Sequence, residues 1–300
     1  MSVALIELVE MTATLNDRNA NLLTGGNMRL GISSGLIYDD AEKWAQAHSA
    51  LGLKSVVFPL DCNADKSLVK DYVQAACEKD LVIAEVGVWR NVNSANPSEK
   101  EEMIKYAIRQ LELAEEIGAR CCVNVAGAIK GERWDGGYKE NFSEEAWNKT
   151  VKSVQEIVDA VRPVKTKYAL EPMPWMIPTG PDQYLKLLSD INRDNVGVHM
   201  DIVNMINCPE RYFFQEDFMT DVFTKLDGLI LSCHLKDIHK KEEYTWQLEE
   251  CACGQGELNI EHYTRLATAH SSDMPMIIEH LHSDEEYRLS IKYVSKRLGL

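Results

Sequence analysis

This chain has few positively charged residues relative to its negatively charged ones. Its 300 residues include 32 Lys and Arg against 47 Asp and Glu, a formal net charge of −15 at pH 7. Such an acidic surface repels nucleic acid phosphates and anionic lipid headgroups, so we expect no nucleic acid and no membrane partner. No apolar run approaches the ~20 residues that cross a bilayer, so no membrane span is predicted. The rest of the composition is typical of a soluble globular protein.

A disulfide framework and a zinc ribbon are also missing, although the chain has eight cysteines. Cys121, Cys122 and Cys233 lie in apolar runs, where cysteine acts as a small hydrophobic residue. Cys251 and Cys253 are separated by one residue and have no second pair, which argues against a zinc ribbon. The first ten residues carry acids and no basic stretch, so we expect no signal peptide. The predicted location is the reducing cytoplasm.

Residues 1–27 are predicted to be a short N-terminal extension that ends at Gly25 and Gly26. This extension either closes the bottom of the fold or contacts a neighbouring subunit. No linker, repeat or low-complexity tract follows it, so residues 28–300 are predicted to form one catalytic domain.

Strand and helix signals alternate from residue 28 onward. Apolar runs predict strands at residues 29–32, 55–58, 81–86, 121–125, 167–170, 196–200, 229–233 and 275–278. Amphipathic patterns predict helices at residues 39–50, 66–77, 98–117, 144–161, 181–188, 217–226, 260–269 and 284–298. Eight units indicate an α/β protein, a (β/α)8 TIM barrel. An open doubly wound sheet is the alternative, but the turn at residues 31–35 lacks the dinucleotide fingerprint.

Four side chains follow the predicted fifth to eighth strands, one at each strand end: Glu171, Asp201, His234 and Glu279. Each gap between them is long enough for one strand–loop–helix unit. Catalytic residues of such barrels come from the C-terminal strand ends, so these side chains are expected to converge. Three carboxylates and one imidazole make a site for a hard or borderline divalent cation. For any one of them alone, a helix cap or a satisfied core group is the commoner explanation.

This pattern resembles the xylose-isomerase-like superfamily of TIM barrels, most clearly over residues 169–281. Residues 234–237 (His-Leu-Lys-Asp) and 254–258 (Gly-Gln-Gly-Glu-Leu) also look like that superfamily. The resemblance implies one Mn²⁺ or Mg²⁺, with Co²⁺ or Zn²⁺ as further candidates, held by the four side chains above. Its members include ketose 3-epimerases, inosose dehydratases, C-glycoside deglycosidase barrel subunits and endonuclease IV.

Three positions depart from the pattern of ketose 3-epimerases. Ile177, Asn204 and Lys240 stand where those enzymes usually carry Glu, His and Arg. The extra ligands and basic face of endonuclease IV are not evident either. The substrate-binding shell of a ketose 3-epimerase is therefore not predicted, although the cation site is.

The expected chemistry is proton abstraction next to a carbonyl through a metal-stabilised enediolate. Glu171 and Glu279 are the predicted base and acid, since paired carboxylates can be driven to different pKa values. The predicted function is a sugar isomerase or epimerase. One alternative is a lyase of the same superfamily that eliminates a β-substituent from an oxidised sugar or cyclitol. Another is a non-catalytic sugar-binding subunit, although a binding protein has no need for paired carboxylates.

Further candidates surround these positions. His199 shares a strand face with Asp201 and is a candidate base or a support for the site. The candidate substrate-binding residues are Lys236, Asn204, Trp175, Trp134 and His280, each with packing as its alternative. The glycine-containing loop at residues 127–142 is a candidate lid. A homo-oligomer or a hetero-oligomer with a small partner subunit is the expected assembly.

Overall fold

The computed structural model describes residues 28–33 and 38–298. The predicted extension at residues 1–27 lies outside the described residues, so its role stays a prediction. Across the described ranges, no helix combines the length and the apolar character that crossing a bilayer requires.

Eight parallel strands of the described residues form the wall of a nearly closed barrel. They are β1 (Arg29–Ile32), β2 (Ser55–Val57), β3 (Val82–Gly87), β4 (Cys121–Asn124), β5 (Tyr168–Leu170), β6 (Val196–Asp201), β7 (Ile230–Leu235) and β10 (Pro275–Ile278). Their order in the sheet is β1, β10, β7, β6, β5, β4, β3, β2. Between β1 and β2, the N–H of Lys54 donates to the carbonyl of Leu30 (2.8 Å). The predicted TIM barrel is confirmed.

Helices follow the strands along the chain, and the longer ones cover the outside of this wall. They are α1 (Ala41–Ala50), α2 (Lys66–Glu78), α3 (Pro97–Ile117), α4 (Glu144–Val161), α5 (Pro181–Ile191), α6 (Ile202–Met205), α7 (Pro209–Phe213), α8 (Gln215–Lys225), α9 (Ile260–His270) and α10 (Asp284–Leu298). A short 3₁₀ helix spans Lys139–Phe142.

Two stretches differ from the sequence prediction. One helix is predicted after the sixth strand, but three helices, α6, α7 and α8, follow it. Pro209 is the first residue of α7, because proline can begin a helix but cannot continue the preceding one. No strand or helix is predicted between residues 233 and 260, but β8 (Asp237–Lys240) and β9 (Leu248–Cys251) form an antiparallel hairpin there. The hairpin lacks a strand signal because β9 presents the exposed Glu249 and Glu250 instead of an apolar alternation.

The loop after the hairpin is held by one buried carboxylate. Asp237 accepts hydrogen bonds from the N–H groups of Gly254, Gly256 and Leu258 at 2.9–3.0 Å. A Cβ at Gly256 would lie 2.3 Å from Asp237 Oδ1, so only glycine allows this approach. Residues 234–237 and 254–258 thus contact each other, and together they fix the hairpin beside the strand ends.

Two buried tyrosines anchor the strands that carry the candidate site. The hydroxyl of Tyr184 in α5 donates to the carbonyl of Leu170, the residue before Glu171 (2.9 Å). The hydroxyl of Tyr263 in α9 donates to the carbonyl of His234 (3.0 Å). Both rings are fully buried, so the outer helices fix the height of the strand ends.

Candidate metal centre and active site

The four predicted cation ligands meet at the C-terminal end of the barrel. Glu171 follows β5, Asp201 ends β6, His234 lies in β7 and Glu279 follows β10. One candidate ligand atom from each lies within 4.8 Å of the others, and all four side chains are buried. Asp201 pairs directly with His234 in the parallel register, so this pair is set by the sheet itself.

Asp201 also caps a helix. Its Oδ1 accepts a hydrogen bond from the N–H of Asn204 (3.0 Å) and so begins α6. The capping role and the ligand position therefore coincide in one carboxylate. The second oxygen, Oδ2, faces the site and lies 2.8 Å from Lys236 Nζ.

The atoms at the centre of the site form a donor set that could hold a cation. His234 Nδ1 lies 3.0 Å from Glu279 Oε2 and 3.4 Å from Glu171 Oε1. Among the described residues, this nitrogen has no hydrogen-bond partner. A bare imidazole nitrogen beside two carboxylates is repulsive unless a proton or a metal ion lies between them. Three oxygen donors and one nitrogen donor fit a hard or borderline divalent ion.

The two glutamates have opposite pKa shifts. Burial raises the pKa of Glu171 to about 7, against the attraction of His234. Burial acts in the same direction at Glu279, but attraction to His234 and Lys236 outweighs it and holds the pKa of Glu279 well below its ordinary value. His234 is also fully buried, yet its carboxylate neighbours, led by Glu279, raise its pKa well above normal. The environments of the two carboxylates thus drive their pKa values in opposite directions.

Lys236 lies among carboxylates instead of in the cavity. Its Nζ is 2.8 Å from Asp201 Oδ2, 3.0 Å from Glu279 Oε1 and 3.2 Å from Glu250 Oε1, and the side chain is buried. It is not among the described residues that line the cavity. Its position therefore suits charge compensation better than the predicted contact with a substrate oxygen.

Asn204 contacts two of the acids. Its Nδ2 donates to Glu171 Oε1 (3.2 Å) and to the carbonyl of Pro172 (3.0 Å), and its backbone N–H caps Asp201. Asn204 also lines the cavity, which is where a residue that binds a substrate hydroxyl must lie.

His199 and Glu85 form a buried layer around His234. His199 is fully buried and lies edge-on to His234, with 4.1 Å between ring centroids. Burial lowers the pKa of His199 to about 3. Glu85 Oε2 lies 3.5 Å from His234 Nε2. Glu85 is not among the site residues predicted from the sequence, although a single carboxylate inside the apolar run at residues 81–86 is a usable signal.

A cavity of about 610 Å³ opens beside the candidate cation site and is lined by Glu171, His234 and Glu279. Trp89, Trp134 and Trp175 line it together with Trp246, a residue that sequence analysis did not single out. The Nε1–H of Trp175 donates to the carbonyl of Asp135 (2.7 Å), which joins the candidate lid to the loop after β5. Among the described residues that line the cavity, none is Lys or Arg.

His280 lies at the edge of this cavity. Its side chain is 56% exposed, and its Nδ1 lies 2.8 Å from Glu250 Oε2 in the hairpin. The residue has a positive φ of 59°, which turns the chain as it leaves β10. The structure thus brings the predicted site residues to one end of the barrel, with His199 and Lys236 behind the cavity wall.

Comparisons with known proteins agree with this fold. The family model for xylose isomerase-like TIM barrels matches residues 34–297. A xylose isomerase-like TIM barrel protein from Mycobacterium smegmatis, solved in complex with magnesium, is 19% identical (TM-score 0.64), covering 91% of this chain and 93% of that chain. The 3-keto-D-glucoside 4-epimerase of E. coli is 12% identical (TM-score 0.69), covering 91% and 100%. The probable 3-DHS dehydratase of Bacillus anthracis is 13% identical (TM-score 0.66), covering 89% and 98%. No curated protein matches the sequence.

Proposed function

Since this chain belongs to the xylose isomerase-like TIM barrel family, we propose that it is a divalent-metal-dependent sugar isomerase or epimerase. The reaction would begin with removal of a proton from the carbon next to a carbonyl. One observation carries the proposal: Glu171 and Glu279 both line the cavity and both face His234 Nδ1.

The cation would be held by Glu171, Asp201, His234 and Glu279, and the donor set favours Mn²⁺ or Mg²⁺, with Co²⁺ or Zn²⁺ as further candidates. When bound, such an ion supplies positive charge that polarises a substrate carbonyl and acidifies the neighbouring C–H. The magnesium in the Mycobacterium smegmatis protein supports this choice by analogy of fold.

The protein's own groups would move the proton. One of the two glutamates accepts it from the substrate carbon, and the other returns a proton. Return to the same carbon from the other face gives an epimer. Return to the former carbonyl carbon, together with transfer of the hydroxyl proton from one enediolate oxygen to the other, gives an isomer. Asn204 holds Glu171 through Oε1 and so keeps that carboxylate turned toward the cavity.

The walls of the cavity favour an uncharged substrate. Glu85, Asp135 and Glu250 line it in addition to Glu171 and Glu279, and the described lining has no Lys or Arg. These carboxylates would repel a phosphate group. The tryptophan faces suit the C–H faces of a sugar, so we propose a neutral sugar or oxidised sugar derivative as the substrate.

An elimination reaction is the second candidate. His280 is half-exposed at the cavity edge, 3.3 Å from Lys236 Nζ and 3.5 Å from Glu279 Oε2. A third proton-carrying group in this place is suited to protonating a leaving group on the carbon next to the one that loses its proton. This would make the enzyme a lyase that acts on an oxidised sugar or cyclitol.

Proton exchange in D₂O tests the function. Ketoses, 3-keto-glucosides and inososes would be incubated with Mn²⁺-loaded protein and followed by ¹H NMR. An isomerase or epimerase gives a deuterated isomer or epimer, and a lyase gives an unsaturated product. Binding without exchange of any substrate proton would favour the sugar-binding subunit. Exchange that survives complete removal of metal would contradict the cation-dependent reaction.

A further inference from the structure

Glu85 is a carboxylate that needs an explanation. It lies in β3, is 1% exposed and lines the floor of the cavity. Its Oε1 has no hydrogen-bond partner among the described residues. Burying a carboxylate is strongly unfavourable unless a partner compensates its charge. The partner within ion-pair distance is His234, whose Nε2 lies 3.5 Å from Glu85 Oε2.

The ring of His234 has a different carboxylate environment at each nitrogen. Nδ1 faces Glu171 and Glu279 at the cation site, whereas Nε2 faces Glu85. A neutral imidazole carries one proton, and the nitrogen that binds a metal ion must be bare. Binding through Nδ1 therefore requires the proton on Nε2, the nitrogen that lies 3.5 Å from Glu85 Oε2.

We propose that Glu85 is a positioning residue that accepts the Nε2–H of His234 and so keeps Nδ1 bare and turned toward the cation. The proposal rests on the cation site of the proposed function. Glu85 does not need to contact the ion or the substrate for this role. A carboxylate behind a metal-binding histidine fixes both the protonation of the ring and its orientation.

Two further rings restrict the same imidazole. His199 lies edge-on at 4.1 Å between centroids, and Trp89 is stacked at 6.5 Å with a 27° angle between planes. His199 is held in turn, because its Nδ1 lies 2.5 Å from Ser232 Oγ. Rotation of the His234 ring would therefore require movement of packed groups as well as loss of the contact with Glu85.

Two variants separate positioning from packing. Glu85→Gln keeps the volume and an acceptor oxygen but removes the charge, and Glu85→Leu removes both charge and acceptor. We expect the Kd for Mn²⁺, measured by calorimetry, to rise about 10-fold in Glu85→Gln and about 100-fold in Glu85→Leu, the usual range for losing such a partner. Ser55→Ala is the control, because Ser55 is equally buried but its hydroxyl donates a hydrogen bond to the carbonyl of Arg29. Its Mn²⁺ affinity should match that of the wild type.

A spectroscopic measurement adds a signal that mere structural support would not produce. In Mg²⁺-loaded protein labelled with ¹⁵N-histidine, the Nε2–H of His234 should give a downfield, slowly exchanging proton resonance, as expected of an N–H donated to a carboxylate. The resonance should move upfield or vanish in Glu85→Gln, the variant that keeps the shape of the site.

The outcomes are distinguishable. Unchanged Mn²⁺ affinity in folded Glu85→Gln and Glu85→Leu proteins, with an unchanged His234 resonance, would refute the positioning role of Glu85. The cation site itself would not be affected by that result. A wild-type protein that binds neither Mn²⁺ nor Mg²⁺ would instead refute the cation site of the proposed function.

Discussion

Asn204 shows how one side chain can serve two acids. Ketose 3-epimerases usually have a histidine at this place, whereas here the amide donates to Glu171 Oε1 and the backbone N–H donates to Asp201 Oδ1. A hydrogen bond to a charged group contributes about 1.5–3 kcal/mol. The amide therefore holds Glu171 without adding a titratable group to the site.

Replacing this amide should weaken catalysis more than folding. We expect Asn204→Ala to lower the kcat/KM of substrate proton exchange by about 10-fold or more, the equivalent of one lost hydrogen bond to a charged group. Asn207→Ala is the matched control, because Asn207 lines the same cavity but donates to the carbonyl of Pro174. Equal activity in the two variants would show that the contact with Glu171 is dispensable.

Removing one ligand should abolish metal binding but spare the fold. Asp201→Asn keeps an oxygen that can cap Asn204, so α6 and the barrel should remain intact. Calorimetry should show that Mn²⁺ binding is lost, while the circular dichroism spectrum stays that of the wild type. His234→Ala should behave in the same way. If either variant stays fully active after chelation and dialysis, the substituted residue is not a ligand of the cation.

Some residues of the candidate site can be predicted from the sequence and others cannot, for a physical reason. Glu171, Asp201, His234 and Glu279 are predictable because each lies at the C-terminal end of its own strand, and parallel strands end at one edge. Glu85 could not be assigned a role from sequence, because its partner His234 lies across the barrel on a strand that is not its neighbour in the sheet. Lys236 shares a face with His234, but its contact with Glu250 depends on the hairpin.

At the scale of elements, strands and helices with a clear apolar period were predictable, and exposed or proline-interrupted ones were not. The hairpin formed by β8 and β9 takes its position from tertiary contacts, above all from the Asp237 carboxylate. The start of α3 shows a smaller error. Ser98 and Glu101 predict a capping box, but Asn96 is the cap and Pro97 is the first helical residue.

The connection between α4 and β5 depends on one carboxylate of α3. Glu115 Oε2 accepts hydrogen bonds from the N–H groups of Val164, Lys165 and Thr166 at 2.8–3.2 Å. Slight burial opposes the effect, but these bonds lower the pKa of Glu115 below its ordinary value. Since the folded pKa is the lower one, this stabilisation is present above the unfolded pKa and is lost as the pH falls through the folded pKa.

We therefore expect Glu115→Gln to lower the free energy of unfolding by about 1 kcal/mol at pH 7, a typical net value for such bonds at a partly exposed site. Urea unfolding measured from pH 7 down to pH 3 should show the difference from wild type shrinking with acid. Glu116→Gln, at the exposed neighbouring position, should have no such effect at any pH. A constant difference across this pH range would mean that charge is not responsible.

The glycines of the candidate lid, the loop at residues 127–142, have different structural roles. Gly136 and Gly137 suggest it by their backbone freedom, but the positive φ angles of the loop are at Gly127 (83°) and Gly131 (107°). At Gly137, a Cβ would lie 3.1 Å from Trp175 Cγ, so its glycine allows close packing.

We expect a bound substrate analogue to slow amide hydrogen exchange over residues 127–142, because Trp134 and Asp135 line the cavity. Residues 192–195, before β6 at the opposite end of the barrel, serve as the reference and should exchange equally in both states. Equal protection of the loop with and without analogue would argue against substrate-dependent closure.

For the molecule as a whole, the cation should add to stability. Clustered carboxylates repel one another in the absence of an ion, and a ligand that binds only the folded state stabilises it by mass action. At a Mn²⁺ concentration about 100 times Kd the gain is about 2.7 kcal/mol. For a chain of this size we expect Tm to rise by roughly 4 °C in differential scanning calorimetry. In Asp201→Asn the same Mn²⁺ should leave Tm unchanged; an equal rise there would indicate binding elsewhere.

The spread of the four ligands along the chain has a consequence for how the protein is made. They lie at the ends of β5, β6, β7 and β10, so Glu171 is synthesised only past the midpoint of the chain and Glu279 only after the last barrel strand. A nascent chain therefore presents an incomplete set of donors for most of its synthesis. Domains fold largely as units once their sequence is available, so metal capture is expected to be among the last events of biogenesis.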